Sequence, residues 1–253
     1  MLIVSFYATF SAPGNYTILA DAADVDGLTE PWTYQTWGIG EFPFLIVQLS
    51  SNGNANKEDS TGECFAWLRE AQQKVVDHTP NTGLVMSYDV GEYADSHPRD
   101  KATLARRLVD TYLALESGKE KQLGPRFRQS SIQGTHIRLT FETAGRKLVA
   151  AEVIMNRKKG LPARTDPEAF RAEAGKLTGF EICGPDRHFV PAIAFIDGQD
   201  VVVESPEVQD PKAVRYAWKN FTVANLFDDR GYPAAGFRTD DYPVPISLGA
   251  LGI

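Results

Sequence analysis

Phe42-Pro43-Phe44-Leu45-Ile46-Val47-Gln48-Leu49 is a nearly unbroken apolar run. A strand with one wet face alternates apolar and polar residues; a run without alternation suits a strand buried on both faces, as in a parallel sheet. A polar loop rich in Gly and Asn turn signals follows from Ser50 to Asp59. Glu63 to His78 then reads as a helix: Phe65, Leu68, Ala71, Val75 and Val76 recur at three- and four-residue spacing, and Thr79-Pro80-Asn81 stops it. Gly83-Leu84-Val85-Met86-Ser87-Tyr88-Asp89-Val90 reads as a second buried strand. Strand, helix and strand make one βαβ-like unit, whose crossover should be right-handed.

Outward from this unit the text changes twice. Pro98 to Glu116 predicts a second helix, with Leu104, Leu108, Tyr112 and Leu115 on its apolar face and Arg106 and Arg107 pointing elsewhere. From Gly124 onward short β-type segments alternate with turns: Ile137 to Glu142, Leu148 to Ile154, Gly179 to Cys183, Val190 to Ile196, Val201 to Glu204 and Ala213 to Trp218. Asp197-Gly198, between two of these, is a hairpin signal. Residues 1–36 lack clear periodicity and read as irregular. The expected class is α/β: part of a parallel sheet with helices over residues 37–120, then an all-β, sandwich-like module over 121–253, the boundary near Ser117–Gly124.

The chain has 253 residues, 43% hydrophobic and 23% charged, an ordinary balance for a globular protein. Its net charge of −7 argues against nucleic acid as a partner, because phosphate backbones want a basic face. No apolar run approaches the ~18 residues of a membrane span, so no membrane partner is expected. Cys64 and Cys183 are far apart and read as two buried free thiols. Metal-ligand spacing is absent, and no metal or other cofactor is expected. Met1 to Ala8 is apolar, but the first Lys or Arg is Lys57, so no secretory signal is read and the compartment stays open. Sequons stand at Asn15-Tyr16-Thr17 and Asn220-Phe221-Thr222.

The stretch that carries chemistry is Asp89-Val90-Gly91-Glu92-Tyr93-Ala94-Asp95-Ser96-His97-Pro98. It follows the C-terminal end of an expected parallel strand, the edge where open α/β sheets bind ligands. Asp95 and His97 stand two apart, just before a helix that Pro98 can open. A carboxylate on one ring nitrogen leaves the other to act as base, the logic of a serine-hydrolase triad. The spacing equally fits an aspartate capping the helix beside a surface histidine. Glu92 and Asp89 compete as the acidic partner.

Taken together, the motifs resemble the sialate O-acetylesterases, a family of SGNH-type carbohydrate esterases. The resemblance runs through Trp37-Gly38-Ile39-Gly40-Glu41-Phe42-Pro43-Phe44, Val47-Gln48-Leu49, Leu68-Arg69-Glu70-Ala71-Gln72, Pro80-Asn81-Thr82-Gly83, Asp89-Val90-Gly91-Glu92, Asp95-Ser96-His97-Pro98 and Arg106-Arg107-Leu108. It continues in Leu177 to Ile182, Phe189 to Ala192, Val214 to Trp218 and Phe237 to Asp241, and so covers residues 37–243. It implies an SGNH-like sheet, His97 as catalytic base, Asp95 as the residue that orients it, and an O-acetylated sialic acid or related sugar as substrate. It also implies a serine in an early Gly-Gln-Ser-Asn-Met motif and a later Gln-Gly-Glu-Ser-Asn segment. This sequence contains neither, so a fragment that needs a catalytic segment from elsewhere, or that self-associates, is expected.

The remaining residues are read more simply. Ser50 and Ser51 follow the first strand but stand where the family has no nucleophile, and Ser96 cannot readily face the imidazole. His78, His136 and His188 are read as structural or solvated. Trp218, Tyr216 and Phe221 suit core packing, or the stacking face of a non-catalytic sugar-binding module. Arg238 with Asp240 and Asp241 suits a salt bridge between parts of the molecule. Arg157-Lys158-Lys159 is read as a solvated basic turn.

Overall fold

A computed structural model of the chain describes residues 3–12, 15–23, 43–53 and 62–243. Among these the protein is mostly β-strand, with two α-helices and several small sheets. The stretch from Trp37 to Phe42 lies outside the described residues.

At the centre of the helical part, β3 (Phe44–Val47) pairs in parallel with β4 (Thr82–Val85), Phe44 opposite Thr82 and Val47 opposite Val85. The connection contains α1 (Cys64–His78). The strand–helix–strand expectation therefore holds, in shortened form. The expectation of two buried faces for β3 does not: Ile46 is sealed, but Phe44 and Val47 are 37% and 41% exposed. Among the described residues β3 has a strand neighbour on one edge only. β4 is fully buried, and its Leu84 N–H donates to the Lys121 carbonyl (2.8 Å) on its other side. The second expected strand stops at Val85, and Tyr88–Val90 forms a 3-10 turn. That turn sends Tyr88 into the β layers, where its hydroxyl donates to the Ala234 carbonyl (2.9 Å) and meets the Tyr216 hydroxyl (3.2 Å).

The second helix, α2 (Lys101–Glu116), begins later than Pro98 because Asp100 caps it. The Asp100 carboxylate accepts from the Thr103 N–H (3.0 Å) and hydroxyl (2.8 Å). Its buried face is Leu104, Arg107 and Thr111, while Tyr112 is exposed and Leu108 and Leu115 are half-buried. Arg107 thus points inward, against expectation. A two-pronged ion pair with Asp89 (2.7 Å for each bond) and a bond to the Met86 carbonyl (2.9 Å) draw the guanidinium under β4.

The β part begins with β5 (Arg126–Gln133) and β6 (His136–Glu142). Then come β7 (Leu148–Ala150), β8 (Val153–Met155), β9 (Phe170–Ala172) and β10 (Phe180–Cys183). After these run β11 (Phe189–Pro191), β12 (Ile193–Asp197), β13 (Asp200–Glu204) and β14 (Ala213–Tyr216). The last are β15 (Leu226–Asp228) and β16 (Phe237–Arg238). Two four-stranded antiparallel sheets, ordered β12-β13-β6-β5 and β11-β10-β14-β16, share one core that contains Ile137, Leu139, Val201, Val203, Ile182, Val214 and Tyr88. The run Val190 to Ile196 is two strands, not one: Ala192 turns out to bond the Phe180 carbonyl (3.0 Å), and β11 and β12 enter different sheets. Leu148 to Ile154 likewise breaks into β7 and β8. The Asp197-Gly198 hairpin forms as read, with Gly198 at φ +66°.

The structure departs from expectation at residues 1–36 and at Cys64, and it gives Asn220 and Arg238 their partners. Within residues 1–36, β1 (Ile3–Ala12) and β2 (Asn15–Ala23) form an antiparallel hairpin; Pro13-Gly14, a turn dipeptide between runs rich in β-formers, was the signal. Cys183 is buried but Cys64 is exposed, and both are free. The sequon residue Asn220 is fully buried, its side-chain Oδ1 accepting the Phe65 N–H (2.8 Å) at the start of α1. Arg238 pairs with Glu70 of α1 (2.9 Å) and with Asp240 (3.2 Å), so it joins the helix to the β layers, while Asp241 takes no part in that network.

Candidate active site

The loops that leave β3 and β4 run side by side at the C-terminal edge of the parallel pair. Gly53 donates to the Tyr93 carbonyl (2.8 Å), and Gly91 passes so close to Ser51 that a Cβ there would lie 2.4 Å from the Ser51 oxygen. The second loop then carries Asp95 and His97 together. One oxygen of the Asp95 carboxylate accepts the backbone N–H of His97 (3.0 Å) and lies 3.3 Å from the ring Nδ1 of the same residue. Asp95 is buried, whereas the imidazole is 85% exposed. With Nδ1–H donating to the carboxylate, Nε2 keeps its lone pair for a proton.

Electrostatics reinforce this arrangement. The His97 backbone N–H holds the Asp95 carboxyl below the usual carboxylate range, against the opposing effect of burial; Lys159, the His97 ring and Arg99 add to it. Arg99 approaches the second carboxylate oxygen at 3.4 Å and Lys159 at 3.9 Å. An open cleft of ≈ 520 Å³ is lined by Asp95, His97, Pro98, Arg99, Lys101 and Lys159.

The competing acids have other partners. Asp89 is committed to Arg107. Glu92 is buried, with one carboxylate oxygen unpartnered, and burial raises its pKa; bonds from the Arg99 backbone and the Asn156 side chain oppose that rise. The helix cap is Asp100, so Asp95 does not serve as one.

The serines face elsewhere. Ser50 is buried with its hydroxyl on Ser87 (2.9 Å), and Ser51 donates to the Thr222 carbonyl (3.4 Å). The Ser96 hydroxyl lies 3.4 Å from Nδ1, the nitrogen that Asp95 already occupies. His78 bonds the Lys74 carbonyl (2.7 Å) at the end of α1, and His136 and His188 lie in the β layers away from the cleft. Trp218 and Tyr216 are sealed, at 2% and 0% exposure, and Trp218 packs edge-on against Trp67 (5.2 Å). Phe221 is half-buried against Tyr93 and Phe170, so this group offers no open stacking face. Among the described residues no group of His, Cys, Asp and Glu could hold a metal ion, and no helix is long and apolar enough to cross a membrane.

Sequence reasoning missed the cations of the cleft. Arg99 and Lys101 had a signal, their nearness to His97 in the chain. Lys159 had none: the basic turn is solvated as read, with the Lys159 side chain 67% exposed, and the loop between β8 and β9 also brings its ammonium to 3.9 Å from Asp95.

A crystal structure of a carbohydrate acetylesterase from Xanthomonas citri superposes with a TM-score of 0.65 at 31% sequence identity, over 83% of this chain and 44% of that one. This chain is built like part of that acetylesterase. It spans less than half of the acetylesterase's length. No protein-family model matches the chain, and no curated protein does.

Proposed function

We propose that the chain is the His/Asp-bearing part of a carbohydrate esterase of the sialate O-acetylesterase, SGNH-type class, acting on O-acetyl esters of sialic acid or a related sugar. One observation carries this reading: a buried carboxylate grips both the backbone and the ring Nδ1 of a histidine whose imidazole stands open in a cleft. The likeness to a carbohydrate acetylesterase supports the reaction class. The three cations around the cleft, Arg99, Lys101 and Lys159, favour a sugar that carries a carboxylate.

In the proposed reaction a serine hydroxyl attacks the acetyl carbonyl while His97 Nε2 takes its proton. His97 then returns that proton to the departing sugar oxygen, and water releases acetate from the serine by the same route. Asp95 holds the ring in the required tautomer and steadies the imidazolium. No cofactor enters these steps. In this reading the serine and the oxyanion donors come from a segment that carries the Gly-Gln-Ser-Asn-Met motif; among the described residues, the Ser50 and Ser51 hydroxyls bond elsewhere and that of Ser96 crowds the wrong nitrogen. In this reading the open apolar side chains Val47, Val109 and Leu113 mark where the larger sheet continues.

The test is acetate release from O-acetylated sialic acid, by the chain alone and by the chain joined to a segment carrying Gly-Gln-Ser-Asn-Met. We expect turnover only from the joined protein. Turnover by the chain alone that His97→Ala abolishes would show that the nucleophile is present after all. No turnover from a folded joined protein would refute the esterase reading.

A further inference from the structure

The loop of residues 156–168, between β8 and β9, is folded on one buried carboxylate. Asp166 is fully buried, and its two oxygens accept the N–H groups of Arg157 (2.9 Å), Lys158 (2.8 Å) and Glu168 (2.9 Å). Its own N–H goes to the Asn156 side chain (3.2 Å), which in turn donates to the Pro162 carbonyl (2.8 Å). Burial works against the charge on Asp166, but the three backbone donors prevail and hold its pKa below the usual range. So folded, the loop turns toward the segment that carries Asp95 and His97. The Tyr93 N–H donates to the Asn156 carbonyl (3.0 Å), Arg164 pairs with Asp100 (3.0 Å), and the Lys159 ammonium faces Asp95 at 3.9 Å. The Tyr93 ring packs against both Phe170 (5.3 Å) and Phe221 (5.2 Å), which belong to the β part and touch each other (5.0 Å).

We propose that this Asp166-folded loop is a positioning element for the Asp95–His97 pair, fixing the course of their segment at Tyr93 and setting the Lys159 cation against the Asp95 carboxylate. The inference rests on the reading of Asp95 and His97 as the proton-transfer pair. It gives the β part a share in the site's chemistry that is separate from sugar binding. The groups that face Asp95 are His97 and Arg99 on its own segment, Glu92 just upstream and Lys159 from the loop. Lys159 lies on a different element and can be exchanged without touching that segment.

The test needs no turnover. Carbon NMR of the full chain follows the Asp95 carboxyl through its titration, and nitrogen NMR follows the His97 ring. Lys159→Met should raise the pH at which Asp95 titrates by roughly half a unit, the size expected for one partly exposed ion pair. Lys159→Arg should restore it, which a purely structural role would not require. Asp166→Ala, checked by its melting curve to be folded, should lose the hydrogen-bonded Nδ1 signal of His97, and Asp166→Asn should retain part of it. An Asp95 titration unmoved by Lys159→Met, or a His97 signal unmoved in folded Asp166→Ala, overturns the proposal. If Asp166→Ala does not fold, the Lys159 pair decides alone. Should these shifts occur while the joined protein releases no acetate, the positioning stands and the esterase reading falls.

Discussion

A methyl group added at Gly91 would meet the Ser51 oxygen at 2.4 Å and its nitrogen at 2.7 Å. Both are backbone atoms, so neither can swing aside. Gly91→Ala should therefore destabilise the protein by about 1–3 kcal/mol, read from urea unfolding, and should disturb the His97 ring signal. The cost is steric, since Gly91 has φ −65°, a value any residue adopts. At this scale the sequence was informative about His97 and Asp95, because a carboxylate two residues from a histidine can reach it locally. It was uninformative about Lys159 and Asp166, whose roles exist only once β8 and β9 have paired. Nor could spacing separate Asp95 from Asp89 and Glu92. Arg107 removes Asp89 from that choice, claiming it through a buried ion pair from a helix the spacing had turned the other way.

Arg107 is also where the elements hold together. Its side chain and that of Asp89 are each 4% exposed, so removing one partner leaves an uncompensated buried charge. Arg107→Met should cost about 3–5 kcal/mol, and pairing it with Asp89→Leu should recover much of that loss in a double-mutant cycle. Arg69 plays a similar part on α1. Its guanidinium donates to the carbonyls of Leu49, Ala217, Lys219 and Asn220, and burial pulls its pKa down to about 10, leaving it charged at neutral pH. Arg107 lies off the face that the apolar spacing of its helix marks, and apolar periodicity cannot place a buried arginine, which is why the helices were legible and their orientations were not. The strands show the same limit. β6 and β13 alternate or run apolar and could be read directly; β5, an edge strand rich in Arg, Gln and Ser, carries too little apolar pattern to announce itself.

Across the whole molecule, charge and exposed apolar surface give two expectations. Asp95, Asp100, Asp166 and Asp240 all have depressed pKa values in the fold. Each contributes stability that is present above the unfolded aspartate value and lost as pH falls through the lower folded one. Glu92 and Glu181, which burial raises, act with the opposite sign. With four depressed groups against two raised ones, thermal melts should hold steady near neutrality and fall steeply below the ordinary aspartate range. Val47, Val109 and Leu113 at 41%, 57% and 57% exposure predict concentration-dependent self-association of the chain alone, measurable by sedimentation and relieved by Leu113→Lys. The two helices and the run of strands after them were legible from composition and rhythm; their joining through Tyr88, Arg69 and the 156–168 loop was not, since long-range contacts leave no local mark. The central claim, that His97 steered by Asp95 moves the proton in acetyl-ester cleavage, is tested most directly by kcat/KM for acetate release from O-acetylated sialic acid by the joined protein. His97→Ala should lower it by roughly 10^4-fold or more, with Asp95→Asn close behind; a His97→Ala protein that still turns over at the unsubstituted rate would contradict the account.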